Sequence, residues 1–381
     1  MTAPGLAFAL ALHRLVAGQA TGNFAWSPYS VASALGLAAA GARGATYDQL
    51  LAAFVPDGDL GQLAAALAAG ADLAPQPDPD APRPGPVLGA TQPTLIAVAN
   101  TLWSDLGLPV AARYLDEVKS WPGGTVRSVD FANHAEHARH EINADVERTT
   151  SGLIRDLLAP GMVDRDTRAA LVNALYLRAA WRHPFDRATP APFHAPTGRV
   201  RVPTMRLRSR LPYAAGRGWQ LVTVPAGGDV VADVLVPDLD LAAAEPALTP
   251  DAAGELLAGT QPTEVELELP RFRVSGAAGL TGPLGELGVR DLFAPDRCDL
   301  GGVSADGRQL YVSAAVHKAV LSVDEAGLEG AAATAMMVRA VSMMVRPRVI
   351  KLRVDRPFLV LVRHAGSGSL YFLARVTNPA S

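Results

Sequence analysis

The sequence of 381 residues predicts an α+β fold with mostly antiparallel sheets. Helical patterns fill most of the first third of the chain, and short alternating apolar runs fill most of the rest. This segregation is typical of α+β proteins, whereas regular alternation would indicate a parallel α/β sheet. Apolar residues make up 49% of the sequence, which is enough for a large core.

The N-terminal third predicts a series of helices. Residues 1–18 form an amphipathic pattern that lacks the positively charged start of a signal peptide and is too short to span a membrane. Ser27 and Pro28 suit the start of a second helix, which we expect Gly41 and Gly44 to end. Two further helical periods cover 46–54 and 60–70.

The next segments alternate between loop, strand and helix. The proline-rich run 71–93 excludes a helix and predicts an exposed loop. Residues 94–104 predict a strand, 134–150 a helix with a polar face, and 170–181 a central strand. Seven later runs predict strands: 199–207, 219–226, 230–238, 263–274, 315–325, 349–364 and 369–379.

Composition and motifs exclude several classes of function. The formal net charge is −3, so neither nucleic acid nor a membrane surface is an expected partner. The chain lacks the G-x-S-x-G, H-E-x-x-H, G-x-G-x-x-G and P-loop motifs, so we do not expect an enzyme. We interpret Cys298, the only cysteine, as an ordinary buried or half-buried thiol. His134, His137 and His140 recur on one helix, and we interpret them as a solvated face and predict no metal site.

The ordered motifs resemble those of the serpin family almost from end to end. The resemblance rests on NFAWSPYSVASALGLAAAGARGATYDQL, VANTLWS, INADVERTTSGLIRDLLAPGMVDRDTRAALVNALYLRAAWRHPFD, VPTM, LPRF, LGVRDLF, VSAAVHKAVLSVDEAG, DRPFLVLVRH and LYFLARVTNP. It implies one domain over 1–381, a compact member of the prokaryotic type. The implied fold has three mostly antiparallel sheets, about nine helices and an exposed reactive-centre loop at about 325–347.

The same resemblance implies a single-use inhibitor of serine or cysteine proteases. The protease cleaves the loop, and the loop then inserts into the large sheet and traps the covalent acyl-enzyme. The family also contains members that act as binding or chaperone scaffolds and are cleaved as plain substrates, so this alternative stays open. The resemblance implies a monomer that needs no cofactor. We expect no heparin binding, because no basic cluster lies near 75–93.

The loop sequence has the alternation that insertion requires. Alternate residues from Ala326 to Val338 are small or apolar and uncharged, while the other face carries both charges of the segment. The predicted hinge comprises Glu325, Gly327, Leu328, Glu329, Gly330, Ala331, Ala332, Ala333 and Thr334. Leu328 departs from the family, which usually has Thr or Ser there, and its larger side chain is expected to slow insertion.

Two reactive bonds are compatible with the sequence. Counting forward from Glu325 gives Val341–Ser342, and counting backward from the next strand gives Met343–Met344. Either bond offers an apolar residue, which suits elastase-, chymotrypsin- or subtilisin-like enzymes. By match to the family, Ser30, Ser33, Asn173 and His317 form a polar latch beneath the large sheet, and Trp181 lies where the loop first inserts. The compartment stays open: extracellular if a signal was removed, otherwise cytoplasmic.

Overall fold

The computed structural model describes residues 3–55, 60–73, 94–313, 315–328 and 349–381. Nine α-helices lie within these ranges: α1 Ala3–Gly18, α2 Pro28–Gly41, α3 Gly44–Phe54, α4 Leu60–Ala71, α5 Ala112–Ser120, α6 Phe131–Thr149, α7 Leu241–Ala247, α8 Pro250–Ala258 and α9 Thr281–Glu286. The proline-rich run and most of the predicted loop, including both candidate reactive bonds, lie outside the described residues.

Fifteen strands are described. They are β1 Phe24–Trp26, β2 Leu95–Asp105, β3 Gly124–Val129, β4 Ala169–Ala180, β5 Asp186–Ala195, β6 Gly198–Gly216, β7 Trp219–Pro225, β8 Val230–Pro237, β9 Gln261–Pro270, β10 Phe272–Gly279, β11 Val316–Val323, β12 Gly327–Leu328, β13 Ile350–Arg353, β14 Phe358–His364 and β15 Leu370–Val376. The predicted α+β class is therefore confirmed.

Hydrogen bonding joins the strands into two arrays. One has six strands in the order β10-β11-β12-β4-β2-β3, and the other runs β1-β15-β14-β8-β7-β6-β9-β13, with β5 also paired to β6. The 19-residue strand β6 pairs with β5, β9 and β7 along its length. This single long strand connects two of the three expected sheets into one continuous array.

Local sequence explains the helix ends. The Ser27 hydroxyl accepts a hydrogen bond from the Ser30 amide and Pro28 occupies the first turn, as predicted for α2. Asp130 caps α6 in the same way. The expectation for Gly44 was wrong: α2 ends at Gly41, and Gly44 begins α3 with a φ of +49°.

Two predicted strand runs each proved to be two strands. Residues 263–274 divide at Arg271 into β9 and β10, which belong to different arrays, and 349–364 divide before Phe358 into β13 and β14. In both cases the chain keeps its extended pattern while it changes neighbours, so alternation alone could not reveal the break. Strand β5 was missed because its prolines resemble a loop; it pairs only with β6, where proline is tolerated.

The six-stranded sheet has a hydrophobic layer on each face. Neighbouring residues of β2 illustrate this: Leu102 belongs to the main core, which includes α2, while Trp103 belongs to a second cluster with Phe131 and Ile142 of α6. None of the described helices is long and apolar enough to cross a membrane.

Candidate functional site

The site centres on β12, a two-residue strand between β11 and β4. Leu328 pairs with Val323 of β11 on one side and with Ala179 of β4 on the other, antiparallel in both cases. Its side chain is 1% exposed and belongs to the main core. The first predicted insertion residue therefore already lies within the sheet in this structure.

Gly327 is required by close packing. A Cβ at this position would lie 2.2 Å from the carbonyl oxygen of Ala179, far inside contact distance. The turn before it is closed by Asp324, whose carboxylate accepts hydrogen bonds from the amides of Ala326 (2.9 Å) and Gly327 (3.2 Å). Strand β12 is thus held by backbone geometry as well as by burial of Leu328.

Aromatic residues after β4 hold this turn. The Trp181 indole donates to the carbonyl of Asp324 at 2.8 Å, and its amide donates to the carbonyl of Ala326 at 3.0 Å. The Phe185 amide donates to the carbonyl of Glu325 at 3.0 Å, and the two aromatic rings meet nearly edge to face. The carbonyls of residues 324–326 therefore all accept hydrogen bonds from the segment 181–185, and Trp181 lies against the start of β12.

Glu325 is the second acidic residue of the turn, after Asp324. Its carboxylate accepts a hydrogen bond from the Ala188 amide at 3.0 Å and lies 3.6 Å from the Arg271 guanidinium. Partial burial alone would raise the pKa of this carboxyl, but the amide hydrogen bonds and the charges of Arg271 and Arg187 outweigh it and hold the pKa below its usual value. Glu325 is therefore ionised at neutral pH and links the turn to β5 and to Arg271 between β9 and β10.

A cavity of about 620 Å³ lies between β4 and β11, below β12. Residues 169–173 of β4, Val316 and His317 of β11, and several residues of α2 contribute to its lining. Only β12 joins β11 to β4 in the ladder, since no direct pairing of these two strands occurs among the described residues. The sheet therefore offers two facing strand edges beyond Leu328.

Three of the four predicted latch residues line this cavity, and no two of the four hydrogen-bond to each other among the described residues. Ser30, Asn173 and His317 line it, whereas Ser33 is fully buried in α2. Asn173 donates its side-chain amide to the Asn100 side chain. Within the described part of the chain, Asn173 Oδ1 and Ser33 Oγ are buried without a hydrogen-bond partner. Unpaired buried oxygens are costly, so they mark a place where a polar group could be received.

His317 is a neutral acceptor. Its Nε2 accepts a hydrogen bond from the Ser27 amide at 2.9 Å, and burial lowers the pKa of its imidazole to about 4. Sequence reasoning missed Ser27 here, although the Ser-Pro pair that caps α2 was visible. Asn100 and Arg271 were also missed, because they contact the site from other strands and carry no local motif.

Two further predictions concern Cys298 and the histidines of α6. Cys298 is buried, as predicted, and burial beside Asp299 raises the pKa of its thiol to about 11, so little nucleophilic thiolate forms. His134 and His140 are exposed and pair with the carboxylates of Asp130, which caps α6, and of Glu136 within it. No group of three potential metal ligands occurs in the described ranges.

The chain belongs to the serpin family. The family model described as Serpin (serine protease inhibitor) matches residues 5–379, nearly the whole sequence. The motifs implied an exposed loop outside the large sheet, whereas the structure already places Leu328 between β11 and β4.

Several relatives are named as protease inhibitors. A serine protease inhibitor of Cyanea capillata is 32% identical over 378 residues, covering 96% of this chain and 95% of that protein. Leukocyte elastase inhibitor A of Mus musculus is 31% identical and covers 94% of each chain. Antithrombin-III of Mus musculus is 34% identical, but the match covers 74% of this chain and only 62% of that longer protein. These names support protease inhibition as the class of activity.

Solved structures confirm the predicted serpin fold. Uncleaved ovalbumin superimposes with a TM-score of 0.83 at 24% identity, covering 99% of both chains. Serpin48 of Tenebrio molitor gives a TM-score of 0.82 at 24% identity, covering 98% of this chain and 97% of that one.

Proposed function

We propose that this chain is a suicide-substrate inhibitor of serine proteases with apolar primary specificity. The observation that carries the proposal is β12. A buried two-residue strand lies between β11 and β4, directly above facing strand edges and a cavity. Among the described residues, nothing pairs with the facing edges of β11 and β4 beyond Leu328, so a chain that continues from β12 could extend between them.

The register of β12 predicts where each loop residue would pair. Continuing from Gly327↔Ala180 and Leu328↔Ala179 aligns positions 329–338 with 178–169 of β4. Continuing independently from Leu328↔Val323 aligns 329–335 with 322–316 of β11. At one position both registers reach a predicted latch residue: Thr334 would lie opposite Asn173 of β4 on one side and His317 of β11 on the other.

The loop sequence fits this register. Because side chains alternate in a strand, the residues that share a face with buried Leu328 would point inward. These are Gly330, Ala332, Thr334, Met336 and Val338, which are uncharged and mostly small. The Thr334 hydroxyl would arrive beside the buried side-chain oxygen of Asn173, which has no partner among the described residues. Insertion would therefore bury apolar groups and also satisfy polar ones.

The chemical step is ordinary acyl transfer by the protease. Its serine oxygen attacks the carbonyl carbon of the residue before the scissile bond, the peptide bond breaks, and the new amine leaves with a proton. The loop then remains attached to the protease as an ester. Insertion of the loop would carry the ester along with it and distort the protease before water completes hydrolysis.

The target class follows from the scissile bond. Val341–Ser342 and Met343–Met344 both place an apolar residue in the primary pocket of the protease. Elastase- and subtilisin-like enzymes accept such residues, and the similarity to leukocyte elastase inhibitor A agrees with this choice.

The decisive experiment incubates the purified chain with elastase and with subtilisin. We expect an SDS-stable complex with the summed mass of protease and inhibitor fragment, together with a released C-terminal peptide. The mass of that peptide distinguishes cleavage after Val341 from cleavage after Met343. Rapid cleavage without any stable complex would contradict trapping.

A matched pair of variants tests insertion itself. Thr334→Arg would place a charge on the inward face, where burial is costly, so cleavage should continue while the covalent complex falls at least tenfold. Ala333→Arg adds the same charge on the outward face and should preserve trapping. Equal behaviour of the two variants would contradict the predicted register.

A binding scaffold cleaved as a plain substrate is the second candidate. Leu328 favours it, because a large side chain anchored in the core could hold the hinge and slow further insertion. In that case cleavage would produce no complex and no gain in thermal stability of the cleaved chain.

A further inference from the structure

The two strands that flank β12 each carry a buried polar atom without a hydrogen-bond partner. Within the described part of the chain, these atoms include Nε of Arg178 on β4 and Oγ of Ser322 on β11. A buried donor that lacks a partner is costly, because folding has removed it from water and given it nothing in exchange. Two such groups on neighbouring strands therefore indicate a place where a ligand could bind.

Strand pairing places both groups at the same step beyond β12. Leu328 pairs with Ala179 on one side and with Val323 on the other, and all three are buried in the main core. Because side chains alternate along a strand, Arg178 and Ser322 lie on the opposite face, where α6 packs. The residue that follows Leu328 in the same strand would lie between them, also on that face.

The acids of the preceding turn are bonded to other partners. The Asp324 carboxylate accepts hydrogen bonds from the amides of residues 326 and 327, and Glu325 pairs with the Ala188 amide and with Arg271. No carboxylate of the described ranges forms an ion pair with Arg178. Strand β4 thus presents a half-buried guanidinium that has no acid of its own.

The loop sequence supplies one carboxylate, and it falls at this step. Positions 169–178 of β4 contain one charged residue, Arg178. The register of β12 aligns them with positions 338–329 of the loop, which also contain one charged residue, Glu329. The two charges are opposite in sign and occupy the same paired position. Sequence and strand register therefore select the same pair of residues independently.

We infer that Arg178 and Ser322 form a carboxylate-binding site whose ligand is the side chain of Glu329. A guanidinium can bind both oxygens of a carboxylate in parallel, and the serine hydroxyl supplies a further donor from the other strand. The identity of the ligand rests on the proposed insertion of the loop as a strand. Arg178 and Ser322 act as positioning residues, because their contact is with the loop hinge rather than with the scissile bond.

The site would fix the register of the inserting strand. A slip of one residue turns every side chain to the other face, so it would carry Glu329 into the apolar core and leave Arg178 without a partner. Burial of an unpaired charge is costly, which disfavours every register shifted by one residue. The apolar anchor at Leu328 is thus followed directly by a charged one, and the small residues after it are directed inward.

The test measures amide hydrogen exchange of the segment 319–328 in the intact chain. Glu329 follows Leu328 by one Cα step of about 3.8 Å, so its contact with the site does not require cleavage of the loop. Arg178→Met and Glu329→Gln should each accelerate exchange of the amides of residues 327 and 328 about tenfold. The double variant should exchange no faster than either single variant, because both changes remove one interaction. Unchanged exchange, or effects that multiply in the double variant, would overturn the inference.

Charge exchange and matched controls locate the effect. Arg178→Glu combined with Glu329→Arg should return the exchange rate to within about threefold of the wild type, although each reversal alone accelerates it. Arg113→Met and Glu117→Gln make the same changes of charge on exposed residues elsewhere and should have no effect. Equal effects of these controls would overturn the inference. Protection that depends on Arg178 and on added inorganic phosphate, but not on Glu329, would also overturn it by assigning the site to a free anion.

Incubation with protease separates this inference from the proposed function. If elastase and subtilisin yield no covalent complex while exchange still shows the coupling of residues 178 and 329, trapping fails and the carboxylate site stands. If the wild type traps either protease and exchange shows no such coupling, trapping stands and the carboxylate site is refuted.

Discussion

Replacement of Leu328 by alanine tests the anchoring of β12. The wild-type side chain is 1% exposed and packs in the main core between β11 and β4. Truncation removes buried carbon atoms and leaves a cavity, and such substitutions cost about 2–5 kcal/mol. Because β12 has only two residues and its backbone partners remain, we expect a loss near the middle of this range, about 3 kcal/mol.

The assay is guanidinium unfolding followed by tryptophan fluorescence, combined with amide hydrogen exchange of the segment 319–328. Leu239→Ala is the matched control, because Leu239 is 81% exposed and its truncation should cost less than about 0.5 kcal/mol. Exchange of the Gly327 and Leu328 amides should accelerate in Leu328→Ala alone. If the two alanine variants unfold at the same denaturant concentration, burial of Leu328 does not hold β12 in the sheet.

Three further predictions concern buried polar groups. The pKa of His317 is about 4 in the folded chain and about 6.5 when unfolded. The stability that neutral His317 contributes to the fold is therefore complete above pH 6.5 and is lost as the pH falls towards 4. Protonation also removes the acceptor for the Ser27 amide. Urea titrations should show a decrease of about 2 kcal/mol from pH 7 to pH 5 that His317→Gln lacks. Arg363→Met leaves Asp233 buried without its 2.6 Å ion pair and should lower the free energy of unfolding by about 3–5 kcal/mol. The additional change Asp233→Leu should restore most of this stability in the same assay. Trp181→Phe loses the indole hydrogen bond to the hinge turn and should cost about 1 kcal/mol in chemical unfolding; a value near zero would argue against that bond.

Patterns confined to one segment could be predicted well. The Ser-Pro start of α2, the apolar run of β4 and the polar face of α6 each depend on neighbours within a few residues. The motifs in order also indicated the serpin fold, which the structure confirms. The candidate hinge was visible as well, because its alternation of small residues is a property of the loop sequence itself.

Predictions failed where the chain changes partners. The break at Arg271 is invisible in an alternating run, because β9 and β10 have the same local pattern and differ only in the array that they join. The same is true of β6 and β13, which become neighbours of one strand only when both pair with β9. No separation along the sequence announces that arrangement.

The sequence by itself determined the α+β class and the family, because composition, periodicity and ordered motifs are properties of the chain itself, while strand insertion of the loop stays a prediction. Only the tertiary structure decided that Leu328 is already buried between β11 and β4, and that Ser27 rather than a latch serine binds His317. The pairing of Leu328 with Ala179 and the hydrogen bond of Ser27 with His317 join residues about 150 and 290 positions apart, so they depend on how distant segments pack together.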